Sequence, residues 1–231
     1  MRPLTRRAAL ASLAALLSGP VLADHPGENL DARMMEMEDY FQIIDTAEAP
    51  AFELQDAEGN LVRLSDFSDK VVVLNFIYAS CPDVCPLHSE KIAAIQASIN
   101  DGPMKDRVQF VSITTDPVND TPDVLRDYGD LHGLDPVNWV LLTKTPEQPD
   151  DATRLLAQDY GLEFTMTADS DMMMHGAVTH VIDVGGRFAG KFHGMEFSNV
   201  NLILYVSELL NNAQHRRRET GWWDRLTGAF R

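Results

Sequence analysis

The sequence predicts an α/β fold bracketed by hairpins: an N-terminal β-hairpin, alternating strands and helices, then a closing β-hairpin and a C-terminal helix. Three observations predict it. Residues 70–80, "KVVVLNFIYAS", are β-branched, aromatic and apolar almost throughout, as in a central strand covered on both faces. Strand-like and helix-like stretches then alternate along the chain, the pattern of an α/β sheet. Turn residues interrupt the outermost strand pairs at Glu58-Gly59-Asn60 and at Gly185-Gly186, where hairpins need them.

The elements follow in order. Residues 1–23 read as an export signal. Arg2, Arg6 and Arg7 form a charged start, an apolar run spans 8–17, and Val21-Leu22-Ala23 ends on a small residue. "TRRAAL" resembles a twin-arginine signal through Thr5, Arg6, Arg7 and Leu10, but Ala9 replaces the usual aromatic, so a general secretory signal fits equally. The apolar run is short for a span of about 20 residues and is broken by Gly19-Pro20. Export places the protein in the periplasm, where a cysteine pair can stay oxidised. Residues 24–48 are a polar, Met-bearing lead-in ("DARMMEMEDYFQ"), a short helix or an extended arm.

One domain without an internal boundary is expected over 49–212. "PAFELQDAEGNLVRLSDF" alternates as a hairpin. "PLHSEKIAAIQASIN" has Leu87, Ile92, Ile95 and Ile99 near helical spacing, with Pro86 in the first turn, where its missing N–H costs nothing. "RVQFVSITTD" is a strand. "TPDVLRDYGDLHG" opens on a Thr cap with Pro at the first helical position and closes on Gly133. "NWVLLTKT" is a strand, and "PDDATRLLAQDYG" is a helix stopping at Gly161. "GAVTHVIDVGGRFAGKFHG" closes the sheet, and "SNVNLILYVSELLNNA" is a last helix capped by Ser198. The tail, 213–231, is basic through Arg216, Arg217, Arg218, Arg225 and Arg231. Trp222, Trp223, Leu226 and Phe230 gather on one face of a short helix, suited to a membrane surface; a frayed end or a helix docked on the domain reads as well.

The chain has 231 residues, 45% apolar and 23% charged, ordinary for a globular protein. Its net charge of −16 repels phosphate and argues against nucleic acid.

Cys81 and Cys85, in "CPDVCP", are the only cysteines. They follow a strand and enter a helix, and strand C-terminal ends are where α/β sheets bind ligands. A helix N-terminus favours thiolate, which is both a nucleophile and a soft-metal ligand. Four positions apart, the two sulfurs can point the same way, with Pro82 and Pro86 restricting the loop. The pair reads as a redox dithiol, a metal clamp or a staple. So small a loop removes little unfolded-state entropy, which disfavours the staple. Zinc wants four ligands and no second cysteine pair exists. Monovalent copper accepts two or three soft ligands.

A third ligand would come from the histidines. His25 lies beside the cleavage site, His88 on a solvated helix face, His132 at a helix cap and His215 in the tail. His180 and His193 lie in the closing hairpin, where packing explains them. His175, in "DMMMHGAVTHVID", sits in the loop entering that hairpin and is free to point at a ligand. Met172, Met173 and Met174, with Met34, Met35 and Met37, offer soft thioethers, or simply fill gaps.

"FIYASCPDVCPLH", then "VSITTDPVNDTPDVLRDY", then a loop histidine before "VIDVGGRF" resemble, in order, the Sco/SenC family of copper chaperones. The likeness covers about residues 49–210. It implies a thioredoxin-like fold, although ordinary thioredoxins have two residues between their cysteines. It implies copper, Cu(I) or Cu(II), held by Cys81, Cys85 and His175, with Asp116 as an acid near the site. The implied role is delivery to the dinuclear copper centre of cytochrome c oxidase, so the partner is the oxidase's copper-bearing subunit or another copper chaperone. An exposed site would let a partner's thiolates replace the ligands one at a time. A thiol-disulfide oxidoreductase reducing the receiving cysteines is the alternative. The chain departs from the family in having Met174 where an Asp often precedes the ligand histidine, and in its basic tail.

Overall fold

The computed structural model describes residues 29–44, 48–82, 84–166, 173–174 and 176–228. The lead-in supplies α1 (Leu30–Met37) and β1 (Phe41–Ile43), and the first hairpin is β2 (Glu53–Gln55) with β3 (Leu61–Arg63). Then come β4 (Val71–Ile77), α2 (Val84–Asn100), β5 (Val108–Thr114), α3 (Pro122–Leu131), β6 (Trp139–Leu142) and α4 (Ala152–Asp159). The short pair β7 (Thr165–Met166) and β8 (Met173–Met174) precedes the closing hairpin, β9 (Val178–Ile182) and β10 (Phe188–His193). The last element is α5 (Asn199–Gly228).

Six strands form the central sheet in the order β1-β10-β9-β4-β5-β6. Pairing is parallel among β4, β5 and β6, and antiparallel through β9, β10 and β1. Every residue of β4 and β5 is buried, so neither strand alternates apolar with exposed polar positions; β4 is apolar but for Asn75, whose Oδ1 accepts the Ser112 hydroxyl of β5 at 2.6 Å. On one face Val71, Val73, Val108 and Phe110 pack with Ile92, Ile95 and Ile99 of α2, Leu125 of α3 and Leu202 and Val206 of α5. On the other, Val72, Leu74, Phe76 and Val111 pack with Leu54 of the hairpin and Leu156 and Tyr160 of α4. Each such side chain contributes about 1.5–3 kcal/mol when fully buried, so this two-sided packing is the main stabilising term.

Local chemistry ends the elements as expected. Thr121 Oγ1 accepts the N–H of Val124 to cap α3, with Pro122 at its first position. His132 caps its C-terminus. Gly185 and Gly186 turn the closing hairpin at φ +92° and +91°, a region that L side chains avoid.

Two boundaries differ from the sequence reading. The lead-in is part of the domain, because Phe41 pairs with Phe192 and packs against the rings of Phe192 and Tyr205 at 5.0 and 4.9 Å. Three residues are too few for strand alternation to be visible in the sequence. The last helix does not stop near residue 213 but continues to Gly228, about 45 Å in all. Gln, Arg and Glu are good helix formers, so a change from apolar to basic composition ends the core-facing stripe without ending the helix. Arg216 Nη2 donates to the buried Asp183 at 3.1 Å and ties this extension to the hairpin.

Candidate functional site

The C-terminal ends of β4 and β5 and the N-terminal end of β9 meet at one end of the sheet. The chain leaves β4 at Ile77, turns at Tyr78, whose carbonyl accepts the Cys81 N–H at 3.1 Å, and enters α2. Cys85 lies in the first turn of that helix. Its N–H donates to Cys81 Sγ at 3.4 Å, so the first sulfur takes one of the helix's open N–H groups. The two cysteines stand as thiols. Cys81 is 6% exposed and Cys85 3%, so the sulfurs expected at the surface are covered. The cover comes from the same core in which Tyr78, Ile92 and Tyr128 pack.

The expectation that the helix N-terminus holds Cys85 as thiolate is not met. Burial pushes its thiol well above the ordinary cysteine range. A hydrogen bond with the Tyr78 backbone opposes this, while Cys81 and Asp120 add to it. Desolvation of a thiolate outweighs a partial charge at a helix end. Burial likewise raises the Tyr78 hydroxyl, with Cys81 contributing through a hydrogen bond.

The loop after β5 carries two acids near the pair's approach, the expected Asp116 and, four residues on, Asp120. Asp116 stays within its own turn: its carboxylate accepts Asn119 Nδ2 at 2.8 Å, and its carbonyl accepts the Asp120 N–H at 2.9 Å. Asp120 reaches across. Its Oδ2 accepts the Ala79 N–H at 2.9 Å and the Thr114 hydroxyl at 2.5 Å, and the residue is only 1% exposed. Burial pushes its carboxyl above the usual range, the hydrogen bonds from Thr114 and Ala79 pull it down, and Asp116 raises it. The sequence "DPVNDTP" holds both acids but carries no sign of which one crosses to the neighbouring strand's loop.

His88 stands elsewhere than expected. Expected on a solvated face, it is 2% exposed, and its Nε2 lies 2.8 Å from Thr179 Oγ1 of β9. The inward stripe of α2 runs Cys85, His88, Ile92, Ile95, Ile99, whereas Leu87 is 55% exposed. Reading Leu87 as a core position shifted the helix face by one residue. His180 is buried among the rings of Phe76, Tyr160 and Phe188, as packing suggested. His193 Nε2 meets Gln42 Oε1 at 2.8 Å across the sheet edge.

His175 lies outside the described residues, as do His25, Met172 and residues 1–23; the β9 strand that follows His175 begins at the cysteine end. Among the described residues no third His, Cys, Asp or Glu gathers with Cys81 and Cys85 into a metal-ligating cluster. Nor, among them, is any helix long and apolar enough to cross a membrane.

The family model described as SCO1/SenC matches residues 42–210. An SCO2-like protein of Rickettsia prowazekii is 30% identical over 143 residues, covering 62% of this chain and 67% of that protein. Among solved structures, BsSco, described as a member of the Sco family of cytochrome c oxidase assembly proteins with a disulfide switch, has a TM-score of 0.62 at 20% identity, covering 72% of this chain and 95% of that one. ScoI of Bradyrhizobium japonicum, solved with copper bound, has a TM-score of 0.56 at 26% identity, covering 71% and 98%. The arrangement of strands and helices is the thioredoxin-like one that the resemblance implied.

Proposed function

This chain belongs to the SCO1/SenC family, and on that premise we propose that it binds copper as cargo through Cys81, Cys85 and His175 and delivers it to the dinuclear centre of cytochrome c oxidase. The observation that carries the reading is the close approach of two buried thiols at a strand end, with the Cys85 N–H 3.4 Å from Cys81 Sγ. Two sulfurs and one imidazole form a soft, three-coordinate donor set that suits monovalent copper; the divalent ion needs a further ligand such as water. The copper-bound ScoI supports the same cargo here.

The residues of the chain supply three things. Tyr78, which bonds with Cys81, and Tyr128 lie beside the buried sulfurs in the same core. Asp120 holds the Ala79 backbone and so the path from β4 to Cys81. Asp116 acts only by building the turn that presents Asp120. Because burial keeps the Cys85 thiol protonated, loading releases a proton and affinity rises with pH. Transfer to a partner, the oxidase's copper-bearing subunit or another chaperone, requires the covered sulfurs to move outward.

The export signal over 1–23 places this activity in the periplasm. The basic extension of α5, with Trp222 and Trp223 in its sequence, rests on the anionic surface of the inner membrane. Vesicles of anionic lipid should retain the full chain and not one truncated after Ala213; equal retention removes the tail from this account.

The side-by-side thiols also favour a second reading, reduction of a partner's disulfide. Two electrons and two protons then pass to the partner as Cys81 and Cys85 close their own disulfide. Copper titration separates the two. Cys81→Ser should abolish binding, and an unchanged stoichiometry and spectrum would sink the chaperone reading. His175→Ala should abolish copper binding and oxidase assembly while sparing dithiol exchange; oxidase assembly that survives in this variant favours the reductase.

A further inference from the structure

We propose that His88 is a positioning residue for the dithiol site, holding α2 in register on β9 through its bond to Thr179. The inference rests on the reading of the pair as a copper site. Cys85 and His88 are three residues apart on α2 and share its buried face. Ile92, Ile95 and Ile99 of the same face make apolar contacts, which are non-directional and tolerate sliding and rolling, while Ser89 and Gln96 bond toward α3 and the loop before β6, to Tyr128 and to Asp135 and Asn138, and not to β9. A hydrogen bond does not tolerate them, because it weakens steeply with distance and angle.

The bond between His88 Nε2 and Thr179 Oγ1 is 2.8 Å long, spans 91 positions of sequence, and joins two residues that are 2% and 0% exposed. With water excluded, removing either group leaves the other without this directional contact. Thr179 is the second residue of β9 and stands opposite Asn75 of β4, two residues before the end of that strand. One end of the bond therefore sits a single helical turn beyond Cys85. The other sits where the chain arrives from His175. The pin sets the distance between the cysteine helix and the strand that delivers the third ligand, without touching copper itself.

Four variants test this in the full chain: His88→Leu and Thr179→Val, which remove the bond, their double mutant, and His88→Gln, whose amide nitrogen occupies the Nε2 position. Copper affinity is read by competition with a chromophoric chelator, and the Cys81–Cys85 potential by equilibration with glutathione. The two single variants should each lose about tenfold or more in copper affinity, as residues behind a ligand commonly do. The double mutant should lose no more than either single one, His88→Gln should recover most of the affinity, and the dithiol potential should not move. Lower thermal stability with native copper affinity, additive losses, or no rescue by His88→Gln overturns the proposal.

Amide exchange of the copper-free protein supplies an independent readout. Thr179→Val should speed exchange both at 85–89 and at 178–180; acceleration confined to one segment overturns the pin. If the native protein takes up no copper, the copper reading falls alone, and this exchange result still decides the role of His88.

Discussion

Asp120 and Ala79, on loops that follow two parallel neighbouring strands, are joined by a 2.9 Å hydrogen bond from the Ala79 N–H to the Asp120 carboxylate. The same oxygen accepts the Thr114 hydroxyl, so one buried acid ties both loops together beside the cysteines. Asp120→Ala strands a part-buried N–H and a buried hydroxyl and should cost about 1–3 kcal/mol in denaturant unfolding. Asp120→Asn keeps an acceptor oxygen and should cost less. If Asn and Ala are equally damaging, the charge rather than the hydrogen bonding is what the loops need.

His180 makes stability fall with acid. Burial, with a smaller effect from Lys191, lowers its pKa to about 3, against hydrogen bonds to the backbone at Leu74 and Tyr160. The folded protein therefore keeps this imidazole neutral while the unfolded chain protonates below about pH 6.5. Its contribution is complete above that pH and declines by about 1.4 kcal/mol per unit as pH falls toward 3. Unfolding free energies at pH 6.5 and pH 5 should differ by about 2 kcal/mol more in the native protein than in His180→Phe. Equal slopes would remove His180 as the cause.

Gly190 faces Phe41, and a Cβ there would lie 2.5 Å from the Phe41 ring. Gly190→Ala should cost about 1–3 kcal/mol as an overpacked core does. Phe41→Ala in the same chain should relieve part of that penalty. Strictly additive losses would mean that β1 does not press on β10 as described.

Arg216 holds the extension of α5 through Asp183, which Arg187 also approaches at 3.6 Å. Arg216 is half exposed, so Arg216→Ala should change global stability by less than about 1 kcal/mol. Tryptic cleavage after Arg217 and Arg218 should nevertheless accelerate, because the helix there loses its tie. Unchanged cleavage would show that the helix needs no such contact.

The sequence was legible wherever one physical requirement dominated. β4 declared itself because a strand covered on both faces has no exposed positions to alternate with, and only Asn75 in it is polar. Both hairpins declared themselves through turn residues, and α3 through its cap and proline. Legibility failed where two patterns competed. In α2, Leu87 and His88 are adjacent, and hydrophobicity chose the wrong one; a buried histidine is visible only when its partner, Thr179, is known to lie beneath it. Asp116 and Asp120 pose the same problem, since their difference lies in a contact 41 residues away. The two cysteines were identified from spacing and position, but their depth was not, because burial depends on what packs above them.

The strand order also has a kinetic consequence. β4 finds its parallel neighbour β5 within about 35 residues, but β9 begins some hundred residues later, and β1 must wait for β10. Pairings between such distant segments close large loops and form slowly. A chain emerging from the ribosome can thus build the β4–α2–β5 unit, cysteines included, long before β9 arrives to flank it. The dithiol and the residues that pack with it, Tyr78, Ile92 and Tyr128, are all synthesised before the strand that follows His175 takes its place beside β4.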